Sequence, residues 1–539
     1  MALYACIQTV QVIPHITDAI QNWIERVAKI PVDPRRPNEE PDVCMIEFGG
    51  TVGDIESMVF LEALRQLRFR VGDDNLCIVH VSLVPVVGAV GEPKSKPTQH
   101  GVKELRAVGL SPDLIICRST QALTRSVISK ISQFCMVPSS HVISVHDVSN
   151  IYRVPVLLLD QRVAGLVLNK LRINRMPPEE LPQWKAIGDK VEHPSKGTVR
   201  IAIVGKYTGL ADSYLSVTKS LHHSGIALDM KVDIEWIDSS HLEPETKEKN
   251  PAAHAAAWAA LRSVAGVLVP GGFGDRGVLG KVLAIQYARE QKVPFFGICL
   301  GFQIAVIEYA RHVLGLADAT SGEFDPDAEH PVVVYMPEIS QTHLGGTMRL
   351  GARRSLLSDR TLAMQIYSGE RTIVERHRHR YEVNPEYVAR LQEAGLKFSG
   401  VDDDEKVRME CVELAQEVHP FFFGVQYHPE FLSRPMAPSP PFLAFVTAAA
   451  GKFVRKDVTA KVDAAARKSG ARAPSPLVEA ASSSASSSSA SSVRVPSPSP
   501  VAVSHSHSNV SAAIAALSPQ ASPQAPSSAA SAADAKNNA

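Results

Sequence analysis

Residues 294–310 read Pro-Phe-Phe-Gly-Ile-Cys-Leu-Gly-Phe-Gln-Ile-Ala-Val-Ile-Glu-Tyr-Ala. Pro294–Ile298 is a short apolar run of the kind a buried strand shows, and the residues after it are apolar in the manner of a helix. Between the two, Gly297-Ile298-Cys299-Leu300-Gly301 sets small residues either side of a cysteine. Such a segment can turn sharply and expose a thiol at the edge of a sheet, a cysteine version of the nucleophile elbow. Working outward, Val199–Val204, Val232–Ile237 and Val267–Val269 are further strand candidates, and Phe421–Val425 is another apolar run. Strands that alternate with helices imply a largely parallel sheet with helices on both faces.

The same alternation fills residues 1–173. Strand expectations there are Val43–Phe48, Leu76–Leu83, Leu114–Cys117 and Val156–Leu159, and Asp54–Phe69 has helical spacing. Residues 174–198 carry prolines at 177, 178, 182 and 194 and read as a linker to a second domain at 199–456. Residues 457–539 are rich in Ser, Ala and Pro; they cannot bury enough apolar surface to offset ordering and are expected to be a disordered tail. Its Ser-Pro pairs, Ser475-Pro476 among them, are candidates for proline-directed phosphorylation. The expected fold class is α/β: two doubly wound, mostly parallel-sheet domains plus that tail.

Lys+Arg and Asp+Glu number 56 each in 539 residues, so the whole chain has no net field to attract nucleic acid. Seven cysteines are scattered without a CxxC pair, which argues against a zinc site or a disulfide framework and for a reducing compartment. No signal peptide and no membrane-length apolar run is found, so a cytoplasmic, membrane-free protein is expected.

Two stretches join the elbow. Pro270-Gly271-Gly272-Phe273-Gly274 follows a strand candidate and can aim backbone N–H groups at a developing oxyanion. Gln426-Tyr427-His428-Pro429-Glu430 follows the Phe421–Val425 run; on an extended segment His428 and Glu430 point to one side, so the carboxylate can orient the imidazole toward a thiol. Singly these read as an ordinary turn, a buried cysteine and a satisfied histidine. In this order, coincidence explains them poorly.

The set resembles the class I glutamine amidotransferase domain, and Ser321–Pro326, Gly345–Gly351 and Glu375–Asn384 narrow the resemblance to the CTP synthase family. The resemblance implies that Cys299 attacks the side-chain amide of glutamine, His428 shuttles the proton and Glu430 positions the ring. It implies an oxyanion hole from the N–H groups of Gly272 and Leu300. Gln303, Glu323 and Arg380 would hold the substrate, Glu323 its α-ammonium and Arg380 its α-carboxylate, with Arg376 and Arg378 as alternatives to Arg380.

In the first domain, Gly49-Gly50-Thr51-Val52-Gly53-Asp54-Ile55-Glu56-Ser57 reads as a glycine turn between strand and helix, a usual ligand position in a doubly wound sheet. Glu47, Asp54 and Glu56 suit a nucleotide with Mg²⁺; a plain turn before a charged helix start reads as well. Lys94-Ser95-Lys96-Pro97-Thr98-Gln99 suits a triphosphate, or a solvated charge run. Both stretches, with Val10–Thr17 and Ser111–Arg118, resemble the nucleotide segments of CTP synthase. The resemblance implies UTP and CTP contacts from Asp54, Ile55, Glu56, Lys94, Ser95, Lys96, Pro97, Thr98, Gln99 and Lys130. It implies ATP contacts from Arg118, His146, Asp147 and Val148, and a Mg²⁺ ligand in Glu47.

The implied reaction is ATP-dependent amination of UTP to CTP with ammonia from glutamine, activated by GTP, inhibited by CTP and carried out by a homo-tetramer. The family's N-terminal phosphate loop with its lysine is expected to be missing here: no GxxxxGK[ST] stretch occurs. That expectation leaves the synthetase half in doubt, through an incomplete gene model or a genuinely shortened protein, and predicts an exposed apolar sheet edge. Two alternatives stand beside the ligase: a glutaminase subunit feeding another synthase, and a non-catalytic assembly or regulatory subunit.

Overall fold

The computed structural model describes residues 10–32, 36, 38–88, 91–209, 211–336 and 348–454. The expected tail and its Ser-Pro pairs, and residues 345–347 of Gly345–Gly351, lie outside them. The described residues divide into two compact units, one holding those up to Asp147 and Gln161–Pro177, the other Val148–Asp160 and those from Pro178 to Val454.

The first unit has a parallel sheet of β1 (Val79–Leu83), β2 (Leu114–Ser119) and β3 (Val142–His146), in the order β1-β2-β3. Its longer helices include α1 (Thr17–Ala28), α2 (Ile55–Val71), α3 (Lys96–Ala107) and α4 (Arg125–Cys135). Central β2 is buried on both faces, as a covered parallel strand must be. Edge strand β1 instead leaves Val79, Val81 and Leu83 exposed.

Several sequence expectations are corrected here. Val43–Phe48 forms no strand: an apolar run specifies burial but not a ladder partner, and this one lies unpaired with Met45 fully in solvent. Val156–Leu159 sits inside a helix, Val154–Asp160. A short apolar run satisfies either period, and Asn150, accepting the Tyr152 N–H at 3.1 Å, opens the helical turn that leads into it. Leu76–Leu83 becomes strand only at Val79, after the turn Asp73–Asn75. The proline-rich stretch after residue 174 contains helix α5 (Pro182–Glu192), with proline in its first turn, where a missing N–H costs nothing.

The main sheet of the second unit has nine strands: β4 (Thr198–Gly205), β5 (Lys231–Asp238), β6 (Gly266–Val269), β7 (Phe295–Ile298), β8 (Arg349–Leu357), β9 (Thr372–His379), β10 (Leu396–Asp402), β11 (Met409–Leu414) and β12 (Phe422–Val425). Their order is β9-β8-β10-β11-β12-β7-β6-β4-β5. From β12 to β5 every pairing is parallel; from β12 to β9 every pairing is antiparallel. Helices α6 (Leu215–Leu228), α7 (Val278–Glu290), α8 (Leu300–His312) and α9 (Pro440–Ala449) accompany the parallel half. One face packs Val267, Phe295 and Phe422 with α7 and α8; the other packs Phe296, Phe423, Phe442 and Phe445. Phe296 meets Phe442 edge-on at 5.2 Å, a geometry favourable beyond area burial alone. Among the described residues no helix is long and apolar enough to cross a membrane.

Candidate active site

The parallel strands β6, β7 and β12 end on the same side of the sheet, and the three quoted stretches follow them directly. The elbow is the tightest of these. Cys299, between β7 and α8, has φ 51° and ψ −102°, a conformation that costs an ordinary residue about 1–3 kcal/mol. Its surroundings enforce it. A Cβ on Gly301 would stand 2.0 Å from the Val269 carbonyl oxygen, and one on Gly297 would stand 2.7 Å from that of Gly301. Only glycine lets α8 start this close to the strand ends.

His428 lies beside the thiol. Its N–H donates to the Arg376 carbonyl of β9 at 2.8 Å, and its Nδ1 lies 2.7 Å from Glu430 Oε1. Burial alone would lower the His428 pKa. The Cys299 sulfur and the Glu430 carboxylate, through charge and hydrogen bonds, instead carry it well above the ordinary imidazole value. The segment is not extended, contrary to the sequence expectation: Pro429–Leu432 is a single helical turn. Proline after His428 starts the turn, which brings the carboxylate back to its own neighbour's ring.

Gly271 and Gly272 close the other side. A Cβ on Gly271 would meet His428 Cε1 at 2.9 Å and Cys299 Cβ at 3.5 Å; one on Gly272 would meet Leu300 Cδ2 at 3.4 Å. Gly272 thus borders Leu300, the first residue of α8, where orphan N–H groups and the helix dipole favour negative charge. Glu323 accepts the Gly274 N–H at 2.8 Å. The Tyr381 pKa is raised by burial first, then by the charge of Glu323, while Arg380 acts to lower it. Arg376 and Arg378 are exposed, and Arg378 lies 5.7 Å from the Phe273 ring centre. Gln303 is buried, with Nε2 bonded to the Tyr381 carbonyl at 2.9 Å and to Gln426 Oε1 at 3.0 Å.

Sequence reasoning passed over several neighbours. Gln426 Nε2 lies 3.6 Å from Cys299 Sγ. Glu375 is buried: its Oε1 accepts from the Tyr367 hydroxyl at 2.9 Å, and burial pushes its pKa to about 7, opposed by Tyr367 and assisted by Glu430. Lys206, at the end of β4, donates to the Gly274 carbonyl at 3.1 Å. Gln426 stood within the quoted stretch, but a glutamine before a histidine carries no signal until the fold brings it to the sulfur.

In the first unit Asp54, Ile55 and Glu56 open α2 and are exposed, as is Glu47 in the unpaired run. Ser95 and Thr98 are buried, with Thr98 receiving the Ser82 hydroxyl of β1 at 3.0 Å; Gln99 donates to Ser95 at 3.1 Å, and Lys96 and Pro97 face solvent. Lys94 bonds Glu92 at 2.6 Å, and the Glu92 carboxyl is held below its usual range by that bond first, with a smaller contribution from the charge of Lys130. Arg118 pairs with Asp147 at the ends of β2 and β3, and Val148 follows in the chain. There Ser119 Oγ and His146 Nδ1 are buried without a partner among the described residues. Such atoms at the carboxyl edge of a parallel sheet need a polar ligand or water. Among the described residues Glu47 belongs to no cluster of three or more carboxylate, histidine or cysteine ligands, so the protein side chains gathered there do not by themselves make a Mg²⁺ cage.

Residues 4–173 match the family model described as CTP synthase N-terminus, and residues 209–448 match Glutamine amidotransferase class-I. The chain is 54% identical over 449 residues to CTP synthase 1 of Homo sapiens, covering 83% of this chain and 75% of that one. It is 52% identical over 460 residues to CTP synthase of Dictyostelium discoideum, covering 82% and 80%. Among solved structures it is similar to the glutaminase domain of Trypanosoma brucei CTPS with bound acivicin, at 44% identity, 48% and 96% coverage and a TM-score of 0.44.

Proposed function

Since this chain belongs to the CTP synthase family, we propose that it is the glutamine-hydrolysing ligase that aminates UTP to CTP, with ATP consumed and ammonia made at Cys299. The observation that carries the glutaminase half is the thiol on a strained elbow beside an imidazole held by Glu430. Sulfur attacks the side-chain carbonyl carbon of glutamine while His428 takes its proton. The oxyanion falls to the N–H groups of Gly272 and Leu300. His428 returns the proton to the leaving nitrogen, ammonia departs, and water then cleaves the thioester to glutamate. Glu430 keeps Nδ1 of His428 as the donor side of the ring, leaving Nε2 for the sulfur. Glu323 and Arg380 are assigned to the α-ammonium and α-carboxylate of glutamine.

The nucleotide chemistry is assigned to Asp54 to Glu56, Lys94 to Gln99 and Lys130 for UTP and to Arg118, His146 and Asp147 for ATP, all in the first unit, with Val148, next in the chain, as a further ATP contact. Ammonia would displace phosphate from a UTP phosphorylated at its 4-oxygen. Mg²⁺, activation by GTP, inhibition by CTP and a homo-tetramer accompany this assignment. Ammonia release from glutamine tests the first half: Cys299→Ala should abolish it, and unimpaired release would refute the mechanism. Calorimetric titration with UTP tests the second half: the chain should bind it and Lys94→Glu should weaken binding. Absence of UTP binding would leave a bare glutaminase.

A further inference from the structure

The orientation of two buried amides beside the thiol follows from one main-chain atom. Gln303 Nε2 lies 2.9 Å from the Tyr381 carbonyl, and a main-chain carbonyl only accepts. The NH₂ end of Gln303 therefore faces it. The same nitrogen lies 3.0 Å from the Gln426 side chain, so the Gln426 atom there must be its oxygen. The NH₂ of Gln426 is thereby turned to Cys299 Sγ, 3.6 Å away. Gln426 has no room to swing: it is 1% exposed, and its main-chain N–H is bonded to the Glu410 carbonyl at 2.9 Å. Cys299 itself is 5% exposed, and besides His428 and Gln426 the hydrogen-bond partner its sulfur has among the described residues is the Arg378 carbonyl at 3.9 Å, an acceptor of no use to a thiolate.

We propose that Gln426 is a catalytic residue of the glutaminase reaction, its side-chain N–H donating to the Cys299 sulfur and favouring the thiolate. The inference rests on Cys299 being the nucleophile. A donor bonded to an ionised acceptor is roughly twice as strong as one bonded to a neutral acceptor, so Gln426 favours thiolate over thiol. When sulfur bonds to the amide carbon its charge passes to the carbonyl oxygen, and the Gln426 bond weakens. As the carbon–nitrogen bond breaks, the nitrogen takes the proton held by His428. When water replaces sulfur on the carbon, the departing thiolate meets the same donor again, so both half-reactions gain.

Alkylation of Cys299 by iodoacetamide, followed against pH by mass spectrometry of its peptide in the full chain, reads the thiolate fraction directly. Gln426→Leu and Gln426→Met remove the donor with little change of volume. In whichever variant folds with a melting temperature near that of the unaltered chain, the alkylation midpoint should rise by about one pH unit and the neutral-pH rate should fall about tenfold. kcat for glutamine should fall in parallel, with KM changed by less than about twofold. An unchanged midpoint overturns the role of Gln426. Turnover retained by Cys299→Ser would instead overturn the nucleophile beneath it.

Discussion

Glu375 and Glu430 each bury an Oε2 atom that has no hydrogen-bond partner among the described residues, and burial of a carboxylate disfavours its charged form. Burial first, with help from Glu430, holds the Glu375 proton to about 7, whereas an unfolded chain releases it near 4.5. The folded state therefore binds the extra proton between these values, and stability falls as pH rises through that window, by about 3 kcal/mol at most. Glu375→Gln, neutral throughout, should flatten that slope in melting curves from about pH 5 to 8; an unaltered slope would count against a protonated Glu375. Lys281 runs the other way. It is 1% exposed, and burial, with Lys206 and Arg276 nearby, lowers its pKa from 10.5 to about 8 against the pull of Asp238 and Glu243. Its cost is full below about 8 and fades toward 10.5. Lys281→Met should raise the melting temperature at neutral pH, and the gain should shrink in alkaline buffer.

The strand–elbow–helix unit shows how little freedom the site has. Gly301 faces a main-chain oxygen rather than a movable side chain. Gly301→Ala must therefore push α8 away from β6, taking Leu300 and the thiol with it. We expect a loss of about 1–3 kcal/mol in stability and, from a displacement near 1 Å, about a hundredfold loss of glutaminase kcat. A variant with normal kcat would mean that the elbow has slack. Elements of this kind were legible because glycine, cysteine and an apolar run leave few conformations. Val43–Phe48 and Val156–Leu159 were not, because their character depends on what lies beside them. The turn at Pro429–Leu432 was misread for a related reason: proline excludes a ladder N–H but leaves open which turn replaces it.

For the whole molecule, the two units carry different expectations. Phosphoryl transfer consists largely of positioning and charge stabilisation, the work assigned to the nucleotide residues of the first unit, whereas amide hydrolysis is assigned to the second. The exposed side chains of Val79, Val81 and Leu83 on β1 belong to the first unit and leave apolar area in water. What the amino-acid order determined by itself was the α/β class, the elbow and the chemical identity of the thiol, imidazole and carboxylate, since these depend on local periodicity and residue type. Only the tertiary structure decided which groups surround that sulfur. Gln426 is 127 residues from Cys299, and Gln303 is 78 from Tyr381. Nothing local encodes such meetings: they follow from which strands pair and from how closely glycine lets them approach.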